Sequence, residues 1–232
     1  MINGFYAAKS GMKNYQYSLD VTGNNIANVN TQGYQAKEVN FTDLIYTSAQ
    51  GLDVMVGNGS RAQTTTNITN QGAAGQEWPM SAMISGTGYF SVENADGTIS
   101  FLRSGNFSIS QEQGQSYLVV KSGEYVLNQQ GQRIAANLND FEGALAQVAL
   151  YSFLNPGALD AQGDGKYAVS AASGEAAVDN VSQWVTGATE LSNVDLIGEM
   201  TRMMIAQRGF QFNAKMIQTA DELEQITNGL RT

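Results

Sequence analysis

The chain has 232 residues, with 25 Gly, 2 Pro, no Cys, no His and a formal net charge of −9. The length supports one large domain or two modest ones, and the acidic balance argues against nucleic-acid backbones and anionic membrane surfaces as partners. Without Cys there are no disulfides, thiol nucleophiles or thiolate metal sites. Without His there is no imidazole base or His-containing triad, so an enzyme would have to use Asp, Glu, Lys, Tyr or Ser alone.

The first predicted element is a helix over about Asn3 to Asn28. Phe5, Ala8, Met12, Tyr15, Leu19, Thr22, Ile26 and Val29 recur at 3-4-3-4 spacing, and all but Thr22 are apolar or aromatic. A narrow seam at 3.5 residues per repeat is what a helix needs to pack along its length against other helices. Charge is sparse here, with only Lys9, Lys13 and Asp20 in the first 34 residues, so the helix is expected to be contacted on several faces. The Asn-rich stretch from Asn24 to Asn30 is poor helix sequence, and Gly33 is a left-handed stop candidate.

From Tyr34 to about Asn67 the signals are mixed. Phe41 to Tyr46 is a short apolar segment, Gly51 to Gly57 alternates like a strand, and Gln63 to Gly75 reads as a polar extended connector. The middle of the chain is β-rich. Tyr89–Glu93 and Thr98–Leu102 read as two strands around an Asp96-Gly97 turn. Short strands follow at Asn106–Ser110, Ser116–Val120, Tyr125–Leu127, Val148–Phe153 and Tyr167–Ser170, separated by Gly-containing turns, as in a compact all-β domain. Helix returns at about Asn193 with Ser192 as the expected N-cap, and Asp195 and Glu199 suit the positive end of its dipole. Leu196, Met200, Met203, Gln207, Phe210, Ala214 and Ile217 repeat the 3-4 spacing. Each seam needs the other terminus, or another copy of the chain, to bury it.

The fold class is therefore α+β and discontinuous. Long N- and C-terminal helices (residues 1–34 and 190–232) form a coiled-coil-like unit, 35–75 is a connector, and 76–189 is a mainly antiparallel β domain. No apolar run is long enough to cross a bilayer, and the N-terminus lacks the basic and apolar regions of a Sec-type signal peptide.

The string Leu19-Asp20-Val21-Thr22-Gly23-Asn24-Asn25-Ile26-Ala27-Asn28-Val29-Asn30-Thr31-Gln32-Gly33-Tyr34 closely resembles the N-terminal signature of the bacterial flagellar axial proteins, the rod and hook proteins. Three further blocks resemble the same family in order. Ser85 to Phe90 with Leu102 to Phe107 is similar to its β-domain core, and Asn155 to Leu159 through Ser173-Gly174 to the second half of that domain. Glu190 to Asp195, Glu199-Met200 and Ala206 to Lys215 are similar to its C-terminal helix. Two features depart from the pattern. Ser81 stands where family members usually carry Asp, and the connector between Tyr46 and Gly51 is short, closer to a hook protein, although the chain has no room for a hook protein's outer domains.

The resemblance implies a structural role as a rod-type subunit of the flagellar axle. Such a subunit is exported unfolded through the flagellar type III pathway and polymerises through its terminal helices into a helical tube that transmits torque. A hook-like axial protein is the alternative. The implied partners are further copies of the chain, other rod and hook proteins and the export apparatus, and the implied location is the flagellar basal body in the periplasm or cell-wall zone. The expected assembly surface comprises Phe5, Met12, Tyr15, Leu19, Asn24, Asn25, Ile26, Asn28, Val29, Leu196, Met200, Met203, Phe210, Ala214 and Ile217. No cofactor, metal, nucleic acid or membrane insertion is expected.

Rival readings rest on thinner signals. Asp140 and Glu142 are the close carboxylate pair a wall-cleaving glycosidase would need, but solvated loop charges are the ordinary explanation. Asp160 to Gly165 faintly resembles a calcium loop, yet Ala171 stands where a bidentate Glu is required. Gly86-Thr87-Gly88 lacks the third Gly of a dinucleotide fingerprint and reads as a strand-entry turn. Met200, Met203, Met204 and Met216 read as plastic helix filler. A secreted adhesin-like module would leave both helices unused.

Overall fold

The structure is a computed structural model, and it describes residues 2–48, 55–76, 80–112, 114–136 and 141–230. Helix α1 spans Ile2–Ala27, followed by β1 (Lys37–Asp43), β2 (Tyr46–Ser48), β3 (Met55–Gly57) and β4 (Ser60–Asn67). Next come β5 (Ala74–Gln76), β6 (Ser81–Ser85), β7 (Tyr89–Glu93), β8 (Ile99–Leu102), β9 (Ser104–Glu112), β10 (Gln115–Val120) and β11 (Tyr125–Val126). A short helix α2 (Phe141–Leu145) precedes β12 (Leu150–Ser152), β13 (Asp160–Gly163), β14 (Lys166–Ala168), β15 (Ala177–Val178), β16 (Gln183–Thr186) and β17 (Ala188–Glu190). Helix α3 closes the chain at Leu196–Gly229. The chain divides into two compact units, one of Met1–Ala27, Lys37–Thr66 and Asp195–Thr232, the other of Asn28–Ala36 and Asn67–Val194. Both expected long helices are present, and the strand pairs of the large sheet are antiparallel.

In the helical unit, α1 and α3 run antiparallel. The pairs Gly11 with Asn213 and Tyr15 with Gly209 fix the direction, since one number rises as the other falls. The approach is close because small residues face large ones. A Cβ on Gly11 would lie 2.9 Å from Asn213 Nδ2, and one on Gly209 would lie 2.6 Å from the Tyr15 ring edge. A second face of α1 is polar and meets β4. Asn14 donates to Ser60 Oγ (2.7 Å) and accepts from the Ala62 N–H (3.1 Å), Ser10 Oγ accepts from the Ser60 N–H (3.3 Å), and Tyr17 and Thr65 share a hydroxyl hydrogen bond (2.8 Å). This double contact explains how the low-charge helix is covered. It also places part of the expected connector elsewhere: residues 60–67 form β4, paired with β1. Of the strand expected at Gly51–Gly57, residues 51–54 lie outside the described residues, and 55–57 form β3, paired with β2.

The β unit is built on one large sheet with strand order β13-β14-β8-β7-β11-β10-β9-β6-β16, with β12 joined to β7 and β15. The expected hairpin is present: Phe90 faces Leu102 and Glu93 faces Ile99, and Gly97 takes φ +74° in the turn. Apolar side chains from these strands fill the core, including Phe90, Val92, Phe107, Leu118 and Val126, with Ile134 from the segment after β11 and Leu145 from α2. A second cluster is aromatic, with Phe101 and Phe153 edge to face at 4.9 Å and Tyr89 against Tyr167 at 5.9 Å. Asp160–Gly163 and Lys166–Ala168 form a hairpin with Asp164 and Gly165 at positive φ, so the calcium-like string is a strand and its turn.

Two local expectations need correction. Helix α3 is capped by Asp195, whose carboxylate accepts the Ile197 N–H at 3.1 Å, and not by Ser192. Asp lies immediately before the first helical residue, and Ser192 lies too far back to reach the orphan amides. Gly33 is left-handed (φ +65°), but α1 has already ended at Ala27. A Cβ on Gly33 would lie 2.8 Å from the Ser104 backbone N, so this glycine serves a close approach to the sheet as well as a turn.

Candidate functional site

The residues expected to carry assembly fall into distinct environments. On α1, Met12, Tyr15, Leu19 and Ile26 are half-buried, whereas Phe5 and Asn24 are exposed. Asn25 is 1% exposed and acts as a surrogate strand partner. Its amide donates to the Lys37 carbonyl (2.8 Å) and accepts from the Lys37 N–H (2.9 Å), satisfying both backbone groups where β1 begins. Asn28 and Val29 are half-buried and belong to the β unit.

On α3, Met203, Ala214 and Ile217 are half-buried, while Leu196, Met200 and Phe210 are exposed. The less exposed face runs through Glu199, Met203, Ala206, Gly209, Asn213, Ile217 and Ala220, so it contains small and polar residues that an apolar count passes over. The large apolar side chains Ile205 (61% exposed), Phe212 (67%) and Met216 (59%) point away from it, and Leu223, Ile226 and Leu230 continue that outward stripe.

Glu199 is buried with one oxygen on Arg202 (2.8 Å) and the other without a hydrogen-bond partner. It lines a polar cavity of about 90 Å³ with Ser18, Thr22, Lys37 and Glu38, roughly the space of a few waters.

Sequence reasoning missed the joint that holds the start and end of the β unit together. Arg103 and Glu190 form an ion pair at 2.7 Å with side chains only 1% and 3% exposed. The guanidinium also donates to the Gly88 carbonyl (2.6 Å) and to that of Gly86, and the other Glu190 oxygen accepts the Gly72 N–H (3.0 Å). Buried charges survive only when paired and hydrogen-bonded in this way. Around it, the Gly33 N–H donates to the Glu190 carbonyl (2.8 Å), and Asn193 accepts from Ala36 (2.7 Å) while donating to the carbonyls of Ile68 (2.7 Å) and Asn70 (2.8 Å). Gln35 exchanges hydrogen bonds with the Tyr89 hydroxyl (3.0 and 3.2 Å) and donates its N–H to the Tyr167 hydroxyl (3.3 Å). Burial pushes both phenols up from their ordinary pKa, so they act here as neutral hydrogen-bonding groups. The available signal was an Arg and a Glu standing inside otherwise apolar or small-residue blocks.

Of the carboxylate pair, Asp140 lies outside the described residues, and Glu142 is exposed in the first turn of α2. The Gly86–Gly88 turn presents its carbonyls to Arg103. Among the described residues no cluster of three or more acidic side chains could hold a metal, and no helix is long and apolar enough to cross a membrane.

Three family models match in the order the elements require. Residues 5–35 match the flagella basal body rod protein model and 83–146 the flagellar hook protein FlgE/F/G D1 domain. Residues 185–230 match the flagellar basal body rod FlgEFG protein C-terminal model. The chain is 35% identical to the flagellar basal-body rod protein FlgG of Bacillus subtilis, over 98% of this chain and 99% of that one. It is 34% identical to FlgG of Caulobacter vibrioides, over 97% and 98%. The flagellar hook protein FlgE of Salmonella typhimurium is 33% identical but matches only 60% of this chain and 40% of its own, which makes the hook-like reading the weaker one. The chain belongs to the flagellar basal-body rod protein family, and it is a structural subunit of the flagellar rod in the basal body.

Proposed function

We propose that this rod subunit polymerises with copies of itself, and that the terminal helices supply the contacts. The observation that supports this reading is the exposed apolar stripe of α3, with Phe212 and Met216 more than half exposed on a flank roughly 100° around the helix from the face turned inward. Solvated apolar side chains repeated at helical spacing gain free energy only when a partner covers them. The assembly surface then keeps Leu196, Met200 and Phe210 on α3 and Phe5 on α1 from the set expected from sequence, all of them exposed, and adds Ile205, Phe212 and Met216. In this reading the terminal helices α1 and α3 supply coiled-coil-like contacts between copies, building a helical tube that transmits torque. The chain reaches its place unfolded through the flagellar export apparatus, in the periplasm or cell-wall zone.

Phe212→Asp tests the assembly claim. The substitution places a charge where the monomer is solvated, so folding and melting should change by less than about 0.5 kcal/mol, as for surface sites generally. In the assembly the same charge is buried without a partner at every copy, at a cost of several kcal/mol each. Motility should be lost while the purified variant melts like the parent. Normal motility would show that this face is not an interface.

The role is structural and not catalytic. Purified protein should release no soluble fragments from a glycan, and Glu142→Gln should leave motility unchanged. Turnover abolished by that substitution would overturn the structural reading.

A further inference from the structure

We propose that the β unit carries a saccharide-binding cleft. A cavity of about 430 Å³ lies beside α2, β12 and the loop from β15 to β16, within the roughly 300–1,000 Å³ usual for small-molecule sites. Elimination defines its chemistry. Among the described residues no Lys or Arg lines it, so none of them would hold a phosphate or sulfate. The carboxylate among the described lining residues, Asp179, is committed to its own turn. Oδ1 accepts the N–H groups of Val181 (2.8 Å) and Ser182 (3.1 Å), and Oδ2 accepts the Ser182 hydroxyl (2.5 Å). Burial works to raise its pKa, but these hydrogen bonds outweigh it and hold the group below the ordinary value. A cation would therefore find no free charged ligand.

What remains is four primary amides and one indole: Gln129, Gln147, Asn180, Gln183 and Trp184. The amides of Gln129, Asn180 and Gln183 make no side-chain hydrogen bond among the described residues, and all three residues are exposed. A planar amide offers donors and acceptors side by side, which matches the paired donor and acceptor of vicinal sugar hydroxyls. An aromatic face suits the C–H face of a pyranose ring. The walls are firm, since Trp184 pairs with Ile84 across β16 and β6 and packs against the main core, and Val148, Ala149 and Leu150 are buried. Gln183 and Trp184 are carried on β16, and Gln129, Gln147 and Asn180 stand on turns around it.

Titration calorimetry on the full chain, with a tetramer of N-acetylglucosamine, cellotetraose and tetra-alanine as probes, tests this site. At least one saccharide should bind saturably with a Kd of about 0.1–10 mM, and tetra-alanine should not bind. Gln129→Ala and Gln183→Ala should each weaken binding by roughly 3- to 10-fold, the loss expected for one hydrogen bond, with unchanged melting. Trp184→Phe should retain most of the affinity by keeping an aromatic face. The two glutamines are the decisive variants, because Trp184 also supports the core. Absence of saturable saccharide binding by folded protein, binding that both Gln variants leave intact, or binding of the peptide alone would each overturn the proposal. Assembly is not required for this measurement, so its outcome is independent of the helix-mediated reading.

Discussion

Arg103→Met is expected to destabilise the β unit by roughly 3–5 kcal/mol, the cost of stranding a buried charge. The guanidinium is 1% exposed and carries three acceptors: a Glu190 oxygen at 2.7 Å, the Gly88 carbonyl at 2.6 Å and the Gly86 carbonyl. Removing it leaves a carboxylate in the interior with only the Gly72 N–H to satisfy it. Glu190→Gln should cost a similar amount for the mirror-image reason. The double variant is the informative one. Once either charge is gone, losing the other removes a liability, so the double should cost about as much as one single change. The coupling between the two sites should then exceed about 2 kcal/mol. Because the pair is buried, raising the salt concentration should change these values little. Additive losses in urea melts would show that the pair is not acting as a unit.

Gly33→Ala should combine left-handed backbone strain with a steric clash, and so cost more than the same change at Gly97. The residue sits at φ +65°, and its new Cβ would meet the Ser104 backbone N at 2.8 Å. Left-handed strain costs an L residue about 1–2 kcal/mol, and overpacking against backbone that cannot swing away adds roughly 1–3 kcal/mol. Gly97 separates the two effects. It has φ +74° with nothing within 4 Å of the added methyl, so Gly97→Ala should show the strain alone. Equal melting of the two variants would mean that Ser104 yields freely and that Gly33 is needed only for its turn.

These two sites also illustrate how far the sequence could be read. Positive φ at Gly33 followed from a glycine after a helix-poor Asn run, but its packing against Ser104 depends on a residue 71 positions away in number, 104 minus 33. Helices α1 and α3 and the Tyr89–Leu102 hairpin were legible because periodicity and an Asp-Gly turn are local signals. The inward face of α3 was not. Gly209, Asn213 and Glu199 lie on it, while Ile205, Phe212 and Met216 lie off it. Close helix approach selects for smallness as much as for apolarity, and a count of apolar positions does not register that. Strand β4 escaped for a related reason: its Thr-rich sequence satisfies a polar face of α1, leaving no apolar alternation to find. Strands β16 and β17 are three or four residues long, and their partners β6 and β5 lie roughly a hundred residues earlier, beyond the reach of any window. The Arg103–Glu190 pair is of the same kind: each charge stands out in its own block, but their partnership joins residues 87 positions apart.

The central question is whether copies of this chain build a tube through their helices. Electron microscopy of purified protein over a rising concentration series, with Phe212→Asp run beside the parent, measures that directly. The expected result is tubes or filaments above a critical concentration for the parent and none for the variant, with the two proteins melting alike. A parent that remains monomeric at millimolar concentration, or a variant that assembles as readily as the parent, would contradict it.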